Sequence, residues 1–268
     1  MSIPGKKYFV IGSLEKGIQV LELLADRDAL SVSQVSAALG LNRSSSHRFL
    51  ATLRELGYVD KDDEGKYRLT FKILEQAMKM ADRFEIRRLA RPFMERLAAV
   101  SGETVNLGFW DGRGIVHLDK IDSRNLLRID SRIGSAAPAY CTALGKSILA
   151  HLPPSQLDDY LNQTSLAPVG PKTLTAPDAF RAALAEIRRR GVATDDEEMA
   201  PGLRCVAAPV FDYTGFPRYA LSISGPAVRM GKSEIRRNAD DVREAAKALS
   251  RQLGQPGRTS GPNSQSGP

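Results

Sequence analysis

Apolar residues recur at helical spacing near the start of the chain. The first such stripe begins at Leu14 and continues with Ile18, Leu21 and either Leu24 or Ala25. Residues three and four positions apart lie on one side of an α-helix, so this spacing predicts an amphipathic helix that packs one side against a core.

Two further helices are predicted directly downstream. Residues 33–39 form a short segment that Ser33 can cap at its start and that Gly40 can end. Asn42 can then cap a third helix, which runs to about Leu56. A tight turn that contains a glycine therefore joins the second helix to the third.

The third predicted helix has two different sides. Phe49, Leu53 and Leu56 lie at the centre of one side, with Ser46 near its edge, when successive residues are placed ~100° apart. The opposite side gathers hydroxyl, imidazole and guanidinium groups, which do not favour an apolar core. Its residues are Ser44, His47, Arg48 and, further along, Arg54.

The segment "YVDKDDEGKYRLT", residues 58–70, predicts two short strands around an Asp-Glu-Gly turn. Three helices followed by a hairpin are the order of a winged helix-turn-helix domain, in which the recognition helix enters the major groove of DNA. The DNA contacts predicted on this helix and its cap are Asn42, Arg43, Ser44, Ser45, His47, Arg48 and Arg54.

Basic residues of the hairpin extend this predicted DNA surface. Lys61, Lys66 and Arg68 are expected to contact phosphates or the minor groove, and Lys6 and Lys7 to do so from an N-terminal arm. Three acidic residues in the hairpin turn weaken this part of the prediction.

The rest of the chain changes from helical to β-type periodicity. Residues 71–101 read as helical, with Pro92 starting a new helix or kinking the first. Helices are then expected at 142–151, at about 177–190 and at "DVREAAKALSRQL". The predicted strands are "TVNLGFW", "GIVHLDKI", "LLRIDSR", "RCVAAPVFD" and "YALSISG".

This order of elements predicts an α+β protein with four regions. Residues 1–70 form the winged helix-turn-helix domain, and residues 71–100 form a helical linker. Residues 101–252 form a sensor-like α+β domain. The tail, residues 253–268, is rich in Gly, Pro and Ser and is expected to be disordered.

Composition limits the class of protein but does not indicate a function. The net charge is +7, but residues 1–85 hold 13 Lys and Arg against 12 Asp and Glu, so net charge is weak support for DNA binding. Neither a membrane-length apolar run nor a signal peptide is evident, which predicts a cytoplasmic protein with no membrane partner. Cys141 and Cys205 fit no metal or redox spacing, so no metal or cofactor is expected.

Three other functions can be weighed on the sequence. The segment "YCTALGKS" has Tyr140 where a phosphate-binding loop requires Gly. A hydrolase of small acids or esters would need Cys141 or Cys205 near His117 or His151. Cys141 and His151 lie ten residues apart on one predicted helix, roughly 15 Å, and cannot pair.

A helix-turn-helix used only for protein contacts is the remaining alternative. It predicts that the residues of "GLRC" and "SIS" line no cavity.

Several long motifs resemble the IclR (isocitrate lyase regulator) family of bacterial transcription factors. They are "IGSLEKGIQVLELLA", "GLNRSSSHRFLATLRELGYV", "GKYRLTFKIL", "RIGSAAPAYCTALGKSILAHL" and "RRRGVATDDEEMAPGLRCVAAPVFD" with "ALSISGP". The similarity covers about residues 11 to 250. It implies a winged helix-turn-helix domain, a helical linker that dimerises, a GAF-like effector-binding domain, and a homodimer or homotetramer.

The resemblance also implies an effector site beside the helix that begins near Thr142. Matching positions are the backbone amides of Ala143 and Leu144 with Asp195, Cys205, Ser222 and Ser224, and Leu126, Ile129 and Ala137 as apolar walls. Amides at a helix start attract anions, and side chains two apart on a strand face one side. Asp195 then accepts a hydrogen bond from an effector hydroxyl or from a protonated group, and both alternatives stay open.

The resulting hypothesis is a ligand-responsive regulator that is not an enzyme. It binds a palindromic double-stranded operator, responds to a small organic acid, and controls catabolic genes.

Overall fold

The computed structural model describes residues 10–81 and 85–255, and the side chains of residues 77–81 are not described. The chain divides between Phe84 and Glu85 into two compact units. Each unit is described by itself. Lys6, Lys7 and residues 256–268, and with them the predicted basic arm and most of the predicted tail, lie outside the described residues.

The first unit has the predicted order of three helices, a hairpin and a further helix. Its described elements are α1 (Gly12–Ala25), α2 (Val32–Leu39), α3 (Arg43–Glu55), β1 (Val59–Lys61), β2 (Tyr67–Leu69) and α4 (Lys72–Ala81). β1 and β2 pair antiparallel, with Asp60 opposite Arg68. The prediction of a winged helix-turn-helix domain is confirmed.

Side-chain caps fix where α2 and α3 begin. The Ser31 hydroxyl accepts a hydrogen bond from the Gln34 amide, and the Gln34 side chain accepts one from the Ser31 amide, at 3.4 and 2.8 Å. This capping box, and not Ser33 as predicted, starts α2. Asn42 caps α3 as predicted, because its Oδ1 accepts from the Ser45 amide at 2.7 Å.

The small core of the first unit differs in part from the predicted apolar sides. Its buried residues are Val20, Leu24, Leu30, Val35, Leu50, Leu53, Val59 and Tyr67. Leu14 and Ile18 of α1 and Leu56 after α3 are exposed, so the prediction that they face the core is wrong. The buried residues of α1 are Val20 and Leu24, so the apolar stripe extends beyond the part of this helix that packs on the core.

The second unit is a six-stranded antiparallel sheet with helices, in the part of the chain that the structure describes. Its strand order is β5–β4–β3–β8–β7–β6. Its elements are α5 (Glu85–Ser101), β3 (Thr104–Trp110), β4 (Gly114–Ile121), β5 (Ala136–Pro138), α6 (Ala143–Leu149), α7 (Pro154–Gln163), α8 (Pro177–Arg190), β6 (Ala193–Asp196), β7 (Leu203–Val210), β8 (Tyr219–Pro226) and α9 (Lys232–Gln252). The α+β class is confirmed.

Both faces of this sheet are covered. Every residue of β8 is buried, as expected for a strand between two layers of helix. α6 packs on the face that carries Ala207, Ala220 and Gly108, where Leu144 of α6 closes over Gly108. α5 and α9 pack against each other and against β3, β7 and β8.

The predicted linker over residues 71–100 is divided between the two units. α4 belongs to the first unit, whereas α5 belongs to the second, where Ile86, Ala90, Met94 and Leu97 are buried. Pro92 lies inside α5, so it does not start a helix. Three elements were not predicted, namely β5, β6 and α7, and α9 begins at Lys232 rather than near residue 241.

The strand predicted at residues 126–132 does not form. Side chains from neighbouring segments bind its backbone instead: Thr104 Oγ1 donates to the Ile129 carbonyl at 3.2 Å, and Arg229 Nη2 donates to the Leu127 carbonyl at 2.7 Å. With these carbonyls engaged, the segment runs as an irregular loop after β4. Among the helices of the described residues, none has the length and apolar composition needed to cross a bilayer.

The junction of β5 and α6 depends on a glycine. A Cβ at Gly145 would lie 2.2 Å from the carbonyl oxygen and 2.3 Å from the Cα of Ala139. We predict that Gly145→Ala destabilises the second unit by at least about 2 kcal/mol, because α6 must move off the sheet. Calorimetric unfolding of the full chain measures this. Gly17→Ala in α1, where no atom lies within 4 Å of the new Cβ, is the control and should be neutral or slightly stabilising.

Candidate functional site

One side of α3 is polar and free. Ser44, His47 and Arg48 are exposed, as are Arg43 and Arg54. Within the described chain, the side chains of His47 and Arg48 make no hydrogen bond or ion pair, whereas the opposite side of α3 is buried. The predicted outward direction of these three side chains is confirmed by their exposure.

This side of α3 lines a groove with α2 and the hairpin. Arg43, Ser44 and His47 form one wall, and Lys61 and Gly65 belong to the hairpin. Five groove residues were not predicted as site residues, namely Ser31, Val32, Ser33, Gly65 and Tyr67. The polar start of α2, "SVSQ", was the available signal, because the first turn of a helix leaves amides unpaired.

The basic residues of the hairpin differ in their contacts with other side chains. Lys66 forms an ion pair with Glu64 at 2.8 Å, so part of its charge is compensated. Lys61 Nζ lies 5.6 Å from the centre of the Tyr67 ring, at the edge of the groove. Arg68 is exposed and has no ion pair within the described residues.

The second unit encloses a cavity of about 330 Å³. Polar side chains from successive strands line its sheet side: Asp195 of β6 lies opposite Cys205 of β7, which lies opposite Ser224 of β8. In the next row, Ser222 lies opposite Asn106 of β3. The two serines share one face, as predicted from their spacing.

Hydrogen bonds engage some of these groups and leave others free. Asn106 Nδ2 donates to Ser224 Oγ at 3.3 Å, and Ser131 Oγ donates to Asn106 Oδ1 at 2.5 Å. Ser222 Oγ and His117 Nδ1 are buried and have no partner within the described residues. Unpaired buried polar atoms are costly, so both mark places where a ligand would gain a hydrogen bond.

Asp195 is the buried acid of the cavity. Its Oδ1 accepts hydrogen bonds from the amides of Glu198 and Met199 at 2.8 and 3.4 Å. Burial raises the pKa of Asp195 to about 6, and the neighbouring Glu198 adds to the rise, although the two amides and Lys146 oppose it. Lys146 and Glu198 themselves form a buried ion pair beneath α6.

The first turn of α6 lies at the cavity. Thr142 Oγ1 caps this turn by accepting from the Gly145 amide at 3.1 Å. The amides of Ala143 and Leu144 have no acceptor inside the helix, since the first turn of a helix has none to offer. Both residues line the cavity.

Most of the predicted effector residues come together here. The lining includes Ile129, Ala137, Ala143, Leu144, Asp195, Cys205, Ser222 and Ser224. The prediction that Leu126 forms a wall of the site is wrong, because its exposed fraction is 101% and it does not line the cavity. The loop that replaces the predicted strand turns this side chain to solvent.

Several lining residues escaped the sequence analysis. They include Asn106, Ile115, His117, Ser131, Arg132, Met199 and Leu203. Asn106 and His117 are polar residues inside the predicted strands "TVNLGFW" and "GIVHLDKI", which was the one usable signal. A polar residue inside a buried strand needs a partner or a function.

The thiols do not have the properties of nucleophiles. Burial raises the pKa of Cys141 to about 12, and its Sγ lies 3.6 Å from Met199 Sδ. Burial also raises the pKa of Cys205. A reactive cysteine requires a lowered pKa.

Comparison with known proteins assigns both units. The helix-turn-helix domain model of the IclR family matches residues 13–63, and the model for the bacterial transcriptional regulator IclR C-terminal region matches residues 78–251. The chain belongs to the IclR family. The HTH-type transcriptional regulator XynR of Escherichia coli (strain K12) is 35% identical over 249 residues, which cover 92% of this chain and 99% of XynR.

Solved structures of IclR-family proteins have the same fold. The Thermotoga maritima IclR superposes with a TM-score of 0.77 at 33% identity, covering 91% of this chain and 100% of that one. An IclR homologue from Microbacterium hydrocarbonoxydans complexed with 4-hydroxybenzoate gives 0.78 at 26% identity, covering 90% and 98%.

Like its family relatives, the protein is a DNA-binding transcriptional regulator that responds to a ligand, and it is not an enzyme. The hydrolase alternative is therefore wrong. The protein-contact alternative predicted that "GLRC" and "SIS" line no cavity, whereas Leu203, Cys205, Ser222 and Ser224 do so.

The raised pKa of Asp195 makes stability depend on pH. The folded state holds this proton more tightly than the unfolded chain, so stability is lost as pH rises from about 4 to about 6. Asp195→Asn removes this loss and keeps an acceptor for the two amides. We predict that the variant is more stable than the wild type at pH 7.5, by up to about 3 kcal/mol, with a smaller difference at pH 4.5.

Asp196→Asn is the matched control for this measurement. Hydrogen bonds from Lys172 and Arg204 lower the pKa of Asp196, so its loss should reduce stability at pH 7.5. Thermal unfolding at both pH values tests the pair. An Asp195→Asn variant with the pH dependence of the wild type would contradict the assignment.

Proposed function

We propose that the protein acts as a homo-oligomer that binds a palindromic operator through α3, and that a small organic acid bound in the cavity changes this binding. We place its action in the cytoplasm and on catabolic genes. The observation that carries the DNA-binding part is the exposed, unpartnered side of α3, with Ser44, His47 and Arg48.

The chemistry of α3 supports contact with base edges. Short side chains at the start of a recognition helix allow the backbone to approach the major groove, where Arg48 can donate two hydrogen bonds to a guanine. Arg43 and Lys61 line the protein groove between α2, α3 and the hairpin. We propose that they contact DNA phosphates from there. Asn42, Ser45, Arg54, Lys66 and Arg68 are proposed as further contacts.

The cavity supports a small organic acid as effector. Its volume is in the range of small-molecule sites. The unpaired amides of Ala143 and Leu144 can receive a carboxylate, and Ser222 with Asp195 can hold a hydroxyl. An acid that also carries a hydroxyl, 4-hydroxybenzoate, is bound to the Microbacterium homologue, which agrees with this chemistry.

Exposed apolar side chains support oligomer formation through the first unit. Val10, Ile11 and Leu14 at the start of α1 are more than half exposed, as are Phe71 and Leu74 around the start of α4. Large apolar surfaces of this kind usually meet a partner. A second copy of this chain is the partner we propose.

The effector can act only if it binds two arrangements of the oligomer with unequal affinity. We propose that residues 71–100 transmit the change, because the separation of two recognition helices must match the half-site spacing of the operator.

Replacing Arg48 by Ala should weaken specific operator binding by about 1–3 kcal/mol, since a bidentate base contact is lost. Fluorescence anisotropy with a labelled operator measures this. Arg27→Ala removes the same charge from an exposed position outside α3, and it should cost much less. If both variants lose the same operator affinity, Arg48 contributes only its charge and makes no specific base contact.

Replacing Ser222 by Ala should remove most of the effector response and leave operator affinity intact. Ser222 Oγ has no partner in the described structure, so its loss leaves no other group unpaired and the fold is retained. The measurement is the change in operator affinity with 4-hydroxybenzoate and a panel of small organic acids. Ser165→Ala, at an exposed position, is the control, and a full response in Ser222→Ala would remove this hydroxyl from the site.

A further inference from the structure

His117 and a short turn form one end of the cavity. The His117 amide donates to the Ser135 carbonyl at 3.0 Å, and the Gly134 amide donates to the His117 carbonyl at 2.8 Å. These bonds hold residues 132–135 against β4, and His117, Arg132 and Ser135 all line the cavity. None of the three belongs to the effector residues implied by sequence.

Arg132 supplies positive charge at this end, where Asp130 also lines the cavity. Arg132 is exposed and makes no hydrogen bond or ion pair through its side chain within the described residues. The neighbouring acids are engaged elsewhere, because Lys120 Nζ binds both Asp122 and Asp130 at 3.0 Å. An anionic group that reached Arg132 would therefore not have to displace an existing partner.

Two further arginines add to the positive charge of the loop. Arg124 and Arg128 are exposed and have no ion pair in the described part of the chain. They do not line the cavity. Their charge attracts an anion to the loop, but only Arg132 is placed to bind it in the cavity.

His117 adds a directed hydrogen bond. Its Nδ1 is buried without a partner in the described residues. Burial and the nearby Lys120 lower its pKa, so the ring is neutral at pH 7. A neutral ring can donate to a carboxylate through one nitrogen, and Arg132 then supplies the charge.

The two groups proposed to hold an effector hydroxyl, Ser222 and Asp195, lie away from this end. Ser222 is on β8, which β3 separates from the strand of His117, so their α-carbons are roughly 10 Å apart across the sheet. Asp195 lies further still, on the edge strand β6. A molecule that satisfies both ends must be elongated and polar at two places.

We propose that Arg132 and His117 form a second acid-binding subsite, so that the effector is a small dicarboxylic acid. One carboxylate meets the α6 amides, and the other meets Arg132 and His117. This inference rests on the proposed function, in which the cavity binds an acid.

The test compares matched acids that differ in one carboxylate. Isothermal titration of the full chain gives dissociation constants for benzoate and terephthalate, and for hexanoate and adipate. The diacid of each pair should bind the wild type more tightly, by about tenfold, the size of a hydrogen bond to a charged group. In Arg132→Met this advantage should vanish while monoacid affinity stays the same.

Three further variants locate the effect. Arg132→Lys should keep part of the advantage, and His117→Phe should reduce it. Arg128→Met removes an equally exposed charge outside the cavity and should change both acids of a pair equally and slightly. A diacid advantage that falls as much in Arg128→Met as in Arg132→Met would overturn the subsite.

Two other results would also contradict the proposal. Equal weakening of monoacids and diacids by Arg132→Met would place the only carboxylate at Arg132, and the second-subsite inference would be wrong. Absence of binding by both diacids would refute the ligand class. Operator binding, measured in parallel by anisotropy, separates these results from failure of the regulator function, because it does not depend on Arg132.

Discussion

One helix in the first unit must satisfy two environments. The inner side of α3 is closed by Ser46, whose hydroxyl donates to the Asn42 carbonyl at 3.2 Å, and by buried Leu50 and Leu53. A small residue at position 46 keeps the core compact, and the cap at Asn42 fixes where the helix begins. With the inner side fixed in this way, Ser44, Arg48 and their neighbours are directed to solvent. The surface proposed to contact DNA is therefore a consequence of how the unit packs.

The cavity of the second unit depends on a comparable constraint. Asp195 is held by the turn that follows β6, in which Glu197 has a φ of 61°, a conformation that costs a non-glycine residue of order 1–3 kcal/mol. Thr173 Oγ1 donates to the Glu198 carbonyl at 2.6 Å, and buried Lys146 pairs with the Glu198 side chain. The first contact holds the turn to the loop before α8, and the second holds it to α6. The acid and the first turn of that helix thus form one positioned site.

The features that could be predicted from the sequence are those determined by residues close together in the chain. Caps, glycine stops and helical spacing placed α1 to α3 within a few residues, and the resemblance to a family supplied eight of the residues that line the cavity. What it missed depends on contacts between distant segments. Leu126 was read as part of a strand, but Thr104 and Arg229 bind the backbone of that segment. His117 and Arg132 line the same cavity because a turn pairs with β4, which no local pattern reveals.

The most direct test of the account is selection of DNA from a random-sequence pool by the full-length protein. If the outer side of α3 reads bases, one sequence with two half-sites in inverted orientation is enriched, and Arg48→Ala loses the preference at a particular base pair of each half-site. Retention of DNA without any enriched sequence, or the same enriched sequence in both proteins, would contradict the claim that the outer side of α3 reads bases.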